Sequence, residues 1–283
     1  MVFQFFMRYF KPVFQKFFFF TIACALCAHA VSPPPVWAKG YAVSAKGAIF
    51  SNSTKVVRYY GKNVHSKVIP ASTTKVMTAL LVLEKLSLDD TVTASKKASL
   101  AQPSKIYVRP GERFKVRDLL YAILLKSAND AAIVLAEAVA GSEWKFVQMM
   151  NKRARKLGCR KTRFMNSNGL PTKKSQYTTP YDMYLIFREA VKHPFFKSVI
   201  KKKYKTITSL SGRKIKLKSH NKILFFSWRR KLYGKTGYTR AARACFVGYL
   251  MKGNDVCIIA VFGCTRRWED IKHIVSRYGG IGL

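Results

Sequence analysis

The order of the periodic segments predicts an α+β fold, in which a sheet is built from both ends of the chain and a helical lobe lies between them. Strand-like segments lie near residues 41–60 and again from about residue 213 to residue 263. Apolar segments with helical spacing fill the middle of the chain. The 283 residues contain no internal repeat and no linker that marks a second domain, so we expect one large domain.

The first predicted elements are a hairpin and a buried helix. "YAVSAKGAIFSNSTKVVRYYGKN" has the pattern of two short strands around a polar turn at residues 51–54. From Thr73 to Leu86 the apolar residues lie on nearly all sides of a helix, which predicts that this helix is largely buried.

The middle of the chain continues as helices. A second helix is predicted from about Val116, with an interruption near Ser127 and a third helix that closes at Gly141. "NKRARKLG" ends a further helix, and Thr179 followed by Pro180 is a start signal for another.

The C-terminal part changes to strands and closes with a helix. "RKIKLKSH", "CFVGYL" and "DVCIIAVFG" show alternation or short apolar runs, and "MKGN" between the last two is typical of a hairpin turn. "EDIKHIVSRYGG" predicts a closing helix that packs on the sheet through one face, which carries Ile271, Ile274, Val275 and Tyr278.

The first 38 residues have the layout of a secretory signal. Three cations precede an apolar run over residues 17–31, which contains small residues at Ala28 and Ala30. This run is shorter than the roughly 20 residues that a membrane-spanning helix needs. We therefore predict a signal peptide over residues 1–38, cleaved near residue 30 or 38, and an exported, periplasmic or otherwise extracytoplasmic protein.

The net charge limits the choice of partners. The chain has 52 Lys and Arg against 13 Asp and Glu, a formal net charge of +39. Such an excess indicates nucleic acid, anionic membrane or acidic polymer as neighbours, and export argues against nucleic acid. Basic clusters over residues 152–163, 197–205 and 213–222 favour attachment to anionic lipid or wall polymer, with a merely solvated surface as the alternative.

Cysteine and histidine spacing predicts no metal and no cofactor. The histidines are scattered, without HxxxH or HExxH. Beyond the predicted signal, Cys159, Cys245, Cys257 and Cys264 do not have zinc-site spacing. Cys245 and Cys257 lie in apolar runs typical of buried thiols, and a disulfide that involves Cys264 is the alternative.

Three short motifs carry the chemistry. Ser72 and Lys75 in "VIPASTTKVM" share a predicted first helical turn, about 5 to 6 Å apart. SxxK alone means little, because it recurs at four other serines and a serine at a helix start is usually a cap. "KSAND" places Ser127 and Asn129 at a helix junction, where we expect both side chains to be exposed. KTG at residues 235–237 occurs once, at the entry to a strand.

The order SxxK, SxN, KTG is the set that serves penicillin-binding proteins and serine β-lactamases. A serine hydroxyl is a poor nucleophile, and Lys75 is the only ionisable group on its turn that could act as its base. That amine must be neutral, so its pKa must fall well below the ordinary value near 10.4. Burial and a second cation, Lys235, are the available causes.

The chain resembles low-molecular-mass penicillin-binding proteins of the D-alanyl-D-alanine carboxypeptidase type, the S11 serine peptidases. The resemblance runs from about Tyr41 to Leu283 and includes "PASTTKVMTA", "LLKSANDAA", "TRFMNSNGLP" and "KTGYT". It implies an antiparallel sheet flanked by helices, with an all-helical lobe and the active site between them. It also implies a catalytic domain over residues 39–283, without the extra C-terminal domain that many relatives carry.

The activity implied by the resemblance is that of a serine DD-carboxypeptidase. Such an enzyme removes the terminal D-alanine from peptidoglycan stem peptides through an acyl-enzyme on Ser72, and binds β-lactams covalently. Ser127 would relay the proton towards the leaving amine, and Asn129 would hold the backbone amide of the substrate.

The resemblance also assigns residues to the terminal carboxylate and the oxyanion. Lys235, Thr236 and Arg267 would hold the carboxylate, with Gly237 in the same substrate-binding strand. Backbone N–H groups of Ser72 and Tyr238 would hold the oxyanion.

Some positions depart from the family pattern and leave the substrate preference open. His220 stands before Asn221 where relatives often have Arg or Thr, and Arg243 replaces a small residue. Tyr233 and Gly234 interrupt the usual glycine before KTG.

The sequence argues against two of three alternatives to the carboxypeptidase and leaves the third open. A class A β-lactamase needs an ExxxN carboxylate, and none of the six glutamates has Asn four residues later. A peptidoglycan DD-endopeptidase would use the same residues and stays open. A non-catalytic wall-binding or sensor module could lose Lys75 or Ser127 without harm, so their presence argues against it.

Overall fold

The computed structural model describes residues 41–283. The signal peptide predicted over residues 1–38 and its cleavage site lie outside the described residues. In the part of the chain from residue 41 onwards, none of the helices combines the length and the apolar character needed to cross a bilayer.

The main sheet is antiparallel and joins the two ends of the chain. Within the described residues it has five strands in the order β2-β1-β9-β8-β7. These are β1 (Gly47–Asn52), β2 (Val57–Lys62), β7 (Tyr233–Thr239), β8 (Arg243–Lys252) and β9 (Asp255–Cys264). The predicted α+β class is therefore confirmed, and β9 brings the C-terminal hairpin against the N-terminal one.

The segment between β2 and β7 is mainly helical. It contains a 3-10 turn (Ala71–Thr74) that runs into α1 (Lys75–Lys85), then α2 (Lys96–Ser99), α3 (Val116–Tyr121), a π-helical turn (Ala122–Lys126), α4 (Asn129–Ala140), α5 (Glu143–Lys156), α6 (Pro180–Ala190) and α7 (Pro194–Ile200).

Two small two-stranded sheets, a 3-10 turn and a closing helix complete the described chain. Strands β3 (Thr91–Thr93) and β4 (Arg113–Lys115) pair with each other, as do β5 (Tyr204–Thr208) and β6 (Lys214–Lys218). A 3-10 turn (Lys222–Phe225) precedes β7, and α8 (Arg267–Gly279) follows β9. The β3–β4 pair was not predicted, because three-residue strands are too short to show a period.

Both faces of the main sheet are covered, which explains the continuous apolar runs of β8 and β9. In β9, Ile258, Ala260 and Phe262 belong to the core shared with the helical lobe. The alternate residues Ile259 and Val261 face a second core.

The second core contains three of the four residues predicted for the packing face of α8. Ile271, Ile274 and Val275 are fully buried there. The fourth residue, Tyr278, is 44% exposed and lies against Tyr60 at the rim, with ring centroids 4.6 Å apart.

The start of α6 provides a stability test. Thr179 Oγ1 accepts a hydrogen bond from the backbone N–H of Asp182 at 2.9 Å, and Pro180 occupies the first turn. Thr179→Ala should lower the free energy of unfolding by about 1 kcal/mol, because it removes this cap. Urea denaturation measures the change.

Thr179→Ser keeps the hydroxyl and should recover most of the loss. Thr206→Ala, at an exposed position of β5, should change stability by less than about 0.5 kcal/mol. Equal effects at Thr179 and Thr206 would contradict the capping role.

Candidate active site

Ser72 lies on a backbone turn that is compressed from two sides. The preceding residue, Ala71, has a positive φ of 47°. A Cβ added to Gly169 would lie 1.9 Å from the carbonyl oxygen of Ala71, and one added to Gly237 would lie 3.1 Å from the backbone nitrogen of Ser72. Ser72 is therefore placed by close backbone packing, on a 3-10 turn and not on the α-helical turn predicted from the sequence.

Lys75 is the first residue of α1, and its side chain is completely buried. Its Nζ lies 3.1 Å from Ser72 Oγ, 2.7 Å from Asn129 Oδ1 and 2.6 Å from the carbonyl oxygen of Asn168. The last two atoms can only accept hydrogen bonds, so they take two N–H groups of the amine.

The electrostatics of Lys75 favour the neutral amine. Burial, and then the neighbouring cation Lys235, hold the pKa of Lys75 well below its ordinary value, against a smaller opposing effect from Asp130. A neutral amine has two N–H groups and one lone pair. Because Asn129 and Asn168 accept the two N–H groups, the lone pair is left to face the hydroxyl of Ser72.

Asp130 is a buried carboxylate that was not among the predicted site residues. It accepts backbone N–H groups of Ile106 and Val108 at 3.0 to 3.1 Å. It therefore fixes the loop before β4 and forms no salt bridge with Lys75 among the described residues. The signal available in the sequence was its place in "KSAND", directly after Asn129.

Both polar atoms of the Asn129 side-chain amide form hydrogen bonds within the protein. Its Oδ1 accepts from Lys75, and its Nδ2 donates to the carbonyl oxygen of Gln102 at 2.9 Å. One N–H of Nδ2 is left for a ligand, since a primary amide carries two. The expected exposure of Ser127 and Asn129 is wrong: their residues are only 5% and 2% exposed, because the loop 101–108 packs over the junction.

Ser127 links the helix junction to the KTG strand. It ends the π-helical turn in a left-handed conformation, with φ 61° and ψ 33°. Its Oγ lies 2.9 Å from Lys235 Nζ, which also donates to the carbonyl oxygen of Thr236 at 2.8 Å. Burial, and then the cation Arg267, lower the pKa of Lys235 to about 7.

Arg267 begins α8 and reaches back to β7. Its Nη1 donates to the carbonyl oxygens of Gly237 and Cys245, at 3.2 and 2.9 Å. Its Nε is buried without a hydrogen-bond partner among the described residues. The guanidinium therefore lies beside the KTG strand and still has an N–H group that could donate a hydrogen bond to a ligand.

These residues border a cleft of about 290 Å³ between the sheet and the helical lobe. Every predicted site residue lines this cleft except Lys75 and Lys235, which are buried and contact Ser72 and Ser127. Five lining residues were not predicted for the site: Pro103, Ser104, Gly169, Leu170 and Thr239. His220, noted only as a departure from the family, is also at the cleft.

The cysteines of the described chain are buried free thiols, so Cys264 forms no disulfide. Residues 41–283 bring together no group of three or more His, Cys, Asp or Glu side chains that could hold a metal ion.

Gly169 allows a direct test of the compressed turn. Gly169 and Gly111 both have a positive φ, 86° and 78°, but only Gly169 has atoms within 3 Å of an added Cβ. Gly111→Ala should cost about 1 to 2 kcal/mol, from backbone conformation alone. Gly169→Ala should cost at least about 2 kcal/mol more, because its methyl group meets the backbone of Ala71.

Urea unfolding of the two variants measures this difference. Equal losses of stability would mean that the backbone of Ala71 can move away from the added methyl group at little cost, so that Gly169 does not fix the position of Ser72.

Comparisons with known proteins place these features in a family. The family model of D-alanyl-D-alanine carboxypeptidase, peptidase S11, matches residues 29–265. The D-alanyl-D-alanine carboxypeptidase DacF of Bacillus subtilis is 34% identical over 242 residues, which cover 78% of this chain and 58% of the relative. DacB2 of Mycobacterium tuberculosis is 35% identical over 193 residues, with coverages of 68% and 65%. The chain thus spans less than two thirds of the length of these curated relatives.

Solved structures agree with the fold. A mutant of the Streptomyces K15 DD-transpeptidase superimposes with a TM-score of 0.78 at 28% identity, covering 85% of this chain and all of that one. A D-alanyl-D-alanine carboxypeptidase of Mycobacterium tuberculosis H37Rv gives a TM-score of 0.77 at 30% identity, with coverages of 85% and 92%. The chain belongs to the D-alanyl-D-alanine carboxypeptidase family of serine peptidases, S11.

Proposed function

We propose that the protein is a serine DD-carboxypeptidase that removes the terminal D-alanine from peptidoglycan stem peptides. The observation that carries this proposal is the buried amine of Lys75, 3.1 Å from Ser72 Oγ, with its other contacts made to acceptors only. A hydroxyl next to a neutral amine is an activated nucleophile. Membership of the S11 family supports the choice of substrate.

Acylation follows from this geometry. Lys75 Nζ takes the proton of Ser72 as Oγ bonds to the carbonyl carbon of the penultimate residue. The C–N bond to the terminal D-alanine then breaks, and its nitrogen receives the proton that Lys75 took from Ser72, passed on through the hydroxyl of Ser127, whose Oγ lies beside Lys235. Lys75 is then neutral again. The backbone N–H groups of Ser72 and Tyr238 hold the oxyanion between the 3-10 turn and β7.

The terminal carboxylate of the substrate is held on the KTG side of the cleft. Thr236 offers a hydroxyl at the cleft, and Lys235 and Arg267 supply positive charge beside it. The free N–H of Asn129 Nδ2 is available to the substrate backbone. Water then hydrolyses the ester, with Lys75 as the base, and releases the shortened peptide.

A β-lactam undergoes the same attack by Ser72, and the C–N bond of its ring breaks. The amine stays tethered to the acyl group, so it cannot diffuse away. The chain has no ExxxN carboxylate to direct a water molecule onto this ester. The penicilloyl-enzyme should therefore persist.

The proposed function includes a location outside the cytoplasm and attachment through a basic surface. Stem peptides are found outside the cytoplasm, where the signal predicted over residues 1–38 would deliver the protein. Lys201, Lys202 and Lys203, between α7 and β5, and Lys205, within β5, are exposed. Such a cluster would attract anionic lipid or wall polymer.

Labelled penicillin provides the main test. Incubation should give one adduct at Ser72 by peptide mass spectrometry, and the protein should release D-alanine from a pentapeptide. Lys75→Ala should abolish the adduct, because it removes the base. Its circular dichroism spectrum should stay close to that of the wild type, since the buried amine costs stability.

An adduct that still forms on Lys75→Ala at neutral pH would exclude Lys75 as the base. A wild-type protein that forms no adduct and releases no D-alanine would leave only the wall-binding module.

The pKa of Lys235 predicts a pH dependence. With a pKa of about 7, Lys235 is charged below that pH and neutral above it. The kcat/KM for a donor with a free terminal carboxylate should therefore fall between pH 6.5 and pH 8.5, while an amide-capped donor should not show this fall. Lys235→Ala should lower kcat/KM for the free acid by about 30-fold, the effect of one charged hydrogen bond of about 2 kcal/mol.

Steady-state rates on the matched acid and amide separate the two roles of Lys235. An equal loss on both donors would mean that Lys235 acts by lowering the pKa of Lys75 and not by binding the carboxylate.

A further inference from the structure

The β5–β6 hairpin, residues 204–218, has one face in the core and one face open to solvent. Ile207 and Leu217 are buried in the core shared with the helical lobe, and Ile215 packs against it. The alternate residues of both strands are exposed. Because successive side chains of a strand point to opposite faces, these exposed residues share the outer face of the hairpin.

The outer face carries a row of three lysines. Lys214, Lys216 and Lys218 alternate with the inward residues of β6, so neighbouring members of the row lie about 7 Å apart along the strand. Their cross-strand partners in β5 are uncharged: Thr208, Thr206 and Tyr204. The row therefore has no counter-charge within the two strands.

Acidic residues do not neutralise this row from elsewhere in the described chain. The sequence has no Asp or Glu from residue 190 to residue 254. Among residues 41–283, no carboxylate lies within salt-bridge distance of the three lysines. Three more lysines, at residues 201–203, are exposed directly before β5. Like charges at such spacing repel one another, so an anionic partner would relieve the repulsion.

Two aromatic side chains are exposed at one end of the row. Tyr204 and Phe225 are 60% and 36% exposed, and their ring centroids lie 5.6 Å apart in an edge-to-face arrangement. The ammonium groups of Lys203 and Lys218 lie 5.8 and 5.4 Å from the ring centroid of Phe225. Exposed apolar surface and positive charge therefore occur together on this face.

A recess beside Phe225 is large enough for a small anionic group. It has a volume of about 520 Å³ and is lined in part by Lys126, Lys218 and Lys222. Phe225 and Phe226 form the apolar part of its wall. A phosphate group in this recess would lie among three ammonium groups.

The exposed rings favour an anionic lipid bilayer over a soluble or wall-bound polyanion. A polyanion would need the lysines only. At a membrane surface, aromatic rings lie at the level of the headgroups while lysines are attracted to anionic lipids.

We propose that the outer face of the β5–β6 hairpin, together with Tyr204 and Phe225, docks the protein onto a bilayer that contains anionic phospholipid. The three lysines of the row contact headgroup phosphates, and the two rings enter the headgroup layer. This docking specifies the attachment that the proposed function includes. It rests on the export of the protein and not on the reaction at Ser72.

Sedimentation with vesicles tests the docking surface. At low ionic strength, the protein purified after export should bind vesicles of phosphatidylcholine and phosphatidylglycerol in equal parts, but not vesicles of phosphatidylcholine alone. Lys214→Gln/Lys216→Gln/Lys218→Gln should weaken this binding by about 100-fold, because each lysine near an anionic surface contributes about 5-fold. High salt should weaken the binding of the wild type as well.

The matched control is Lys152→Gln/Arg155→Gln/Lys156→Gln, which removes the same charge from exposed positions of α5. It should bind the mixed vesicles nearly as the wild type does. Equal losses in the two variants would mean that binding follows net charge and not this face, which would overturn the proposal. A wild type that does not sediment with the mixed vesicles would overturn it too.

Tyr204→Ser/Phe225→Ser separates lipid from polymer. Binding to the mixed vesicles should weaken by about 10-fold, because the rings no longer enter the headgroup layer. Binding to inorganic polyphosphate should stay unchanged, since the lysines are intact. Unchanged vesicle binding in this variant would assign the face to polyanions in general and contradict docking on lipid.

The penicillin adduct keeps this proposal apart from the proposed reaction. All variants should still label Ser72, because none of the changed residues lines the catalytic cleft, and the label also reports that each variant is folded. A wild type that labels Ser72 and releases D-alanine but ignores the vesicles fails the docking proposal alone. One that binds vesicles through this face without labelling Ser72 fails the DD-peptidase proposal alone.

Discussion

The burial of two lysine amines is the constraint on which the site depends. Lys75 and Lys235 are 0% and 1% exposed, and neither forms a salt bridge with a carboxylate of the described chain. Desolvation of an unpaired ammonium costs several kcal/mol, so both groups have lowered pKa values. A carboxylate partner beside Lys75 would relieve that cost, but it would keep the amine protonated and unable to act as a base.

The remaining polar groups of the site are arranged so that this base stays neutral and oriented. Asp130, the nearby acid, is committed to backbone N–H groups of the loop before β4. Asn129 and Asn168 accept the two N–H groups of Lys75. Gly169 and Gly237 both lie close against the backbone of the turn that carries Ser72. Elements distant in sequence thus meet at one hydroxyl, and each is held by backbone atoms or by packing.

The distribution of charge connects the site to the surface. Acidic residues form ion pairs within the lobe, as where Arg153 joins Glu84 and Glu189, and Arg213 is held by Glu112. The segment that contains α7, β5, β6 and β7 has no acid from residue 190 to residue 254. Uncompensated cations therefore surround one side of the cleft, which favours anionic groups there whether they belong to the substrate or to an anionic surface.

The α+β class, most of the helices and the three motifs could be predicted from the sequence, because they depend on local periodicity, capping and residue order. Thr179 correctly marked the start of α6, and Gly141 the end of α4. The chemistry of the proposed base also predicted that burial and the cation Lys235 would lower the pKa of Lys75. Tertiary contacts were needed to establish the compressed turn at Ala71, the roles of Gly169 and Asp130, and the burial of Ser127 and Asn129. These features arise where segments about 20 to 170 residues apart come into contact, and no local pattern encodes such distances.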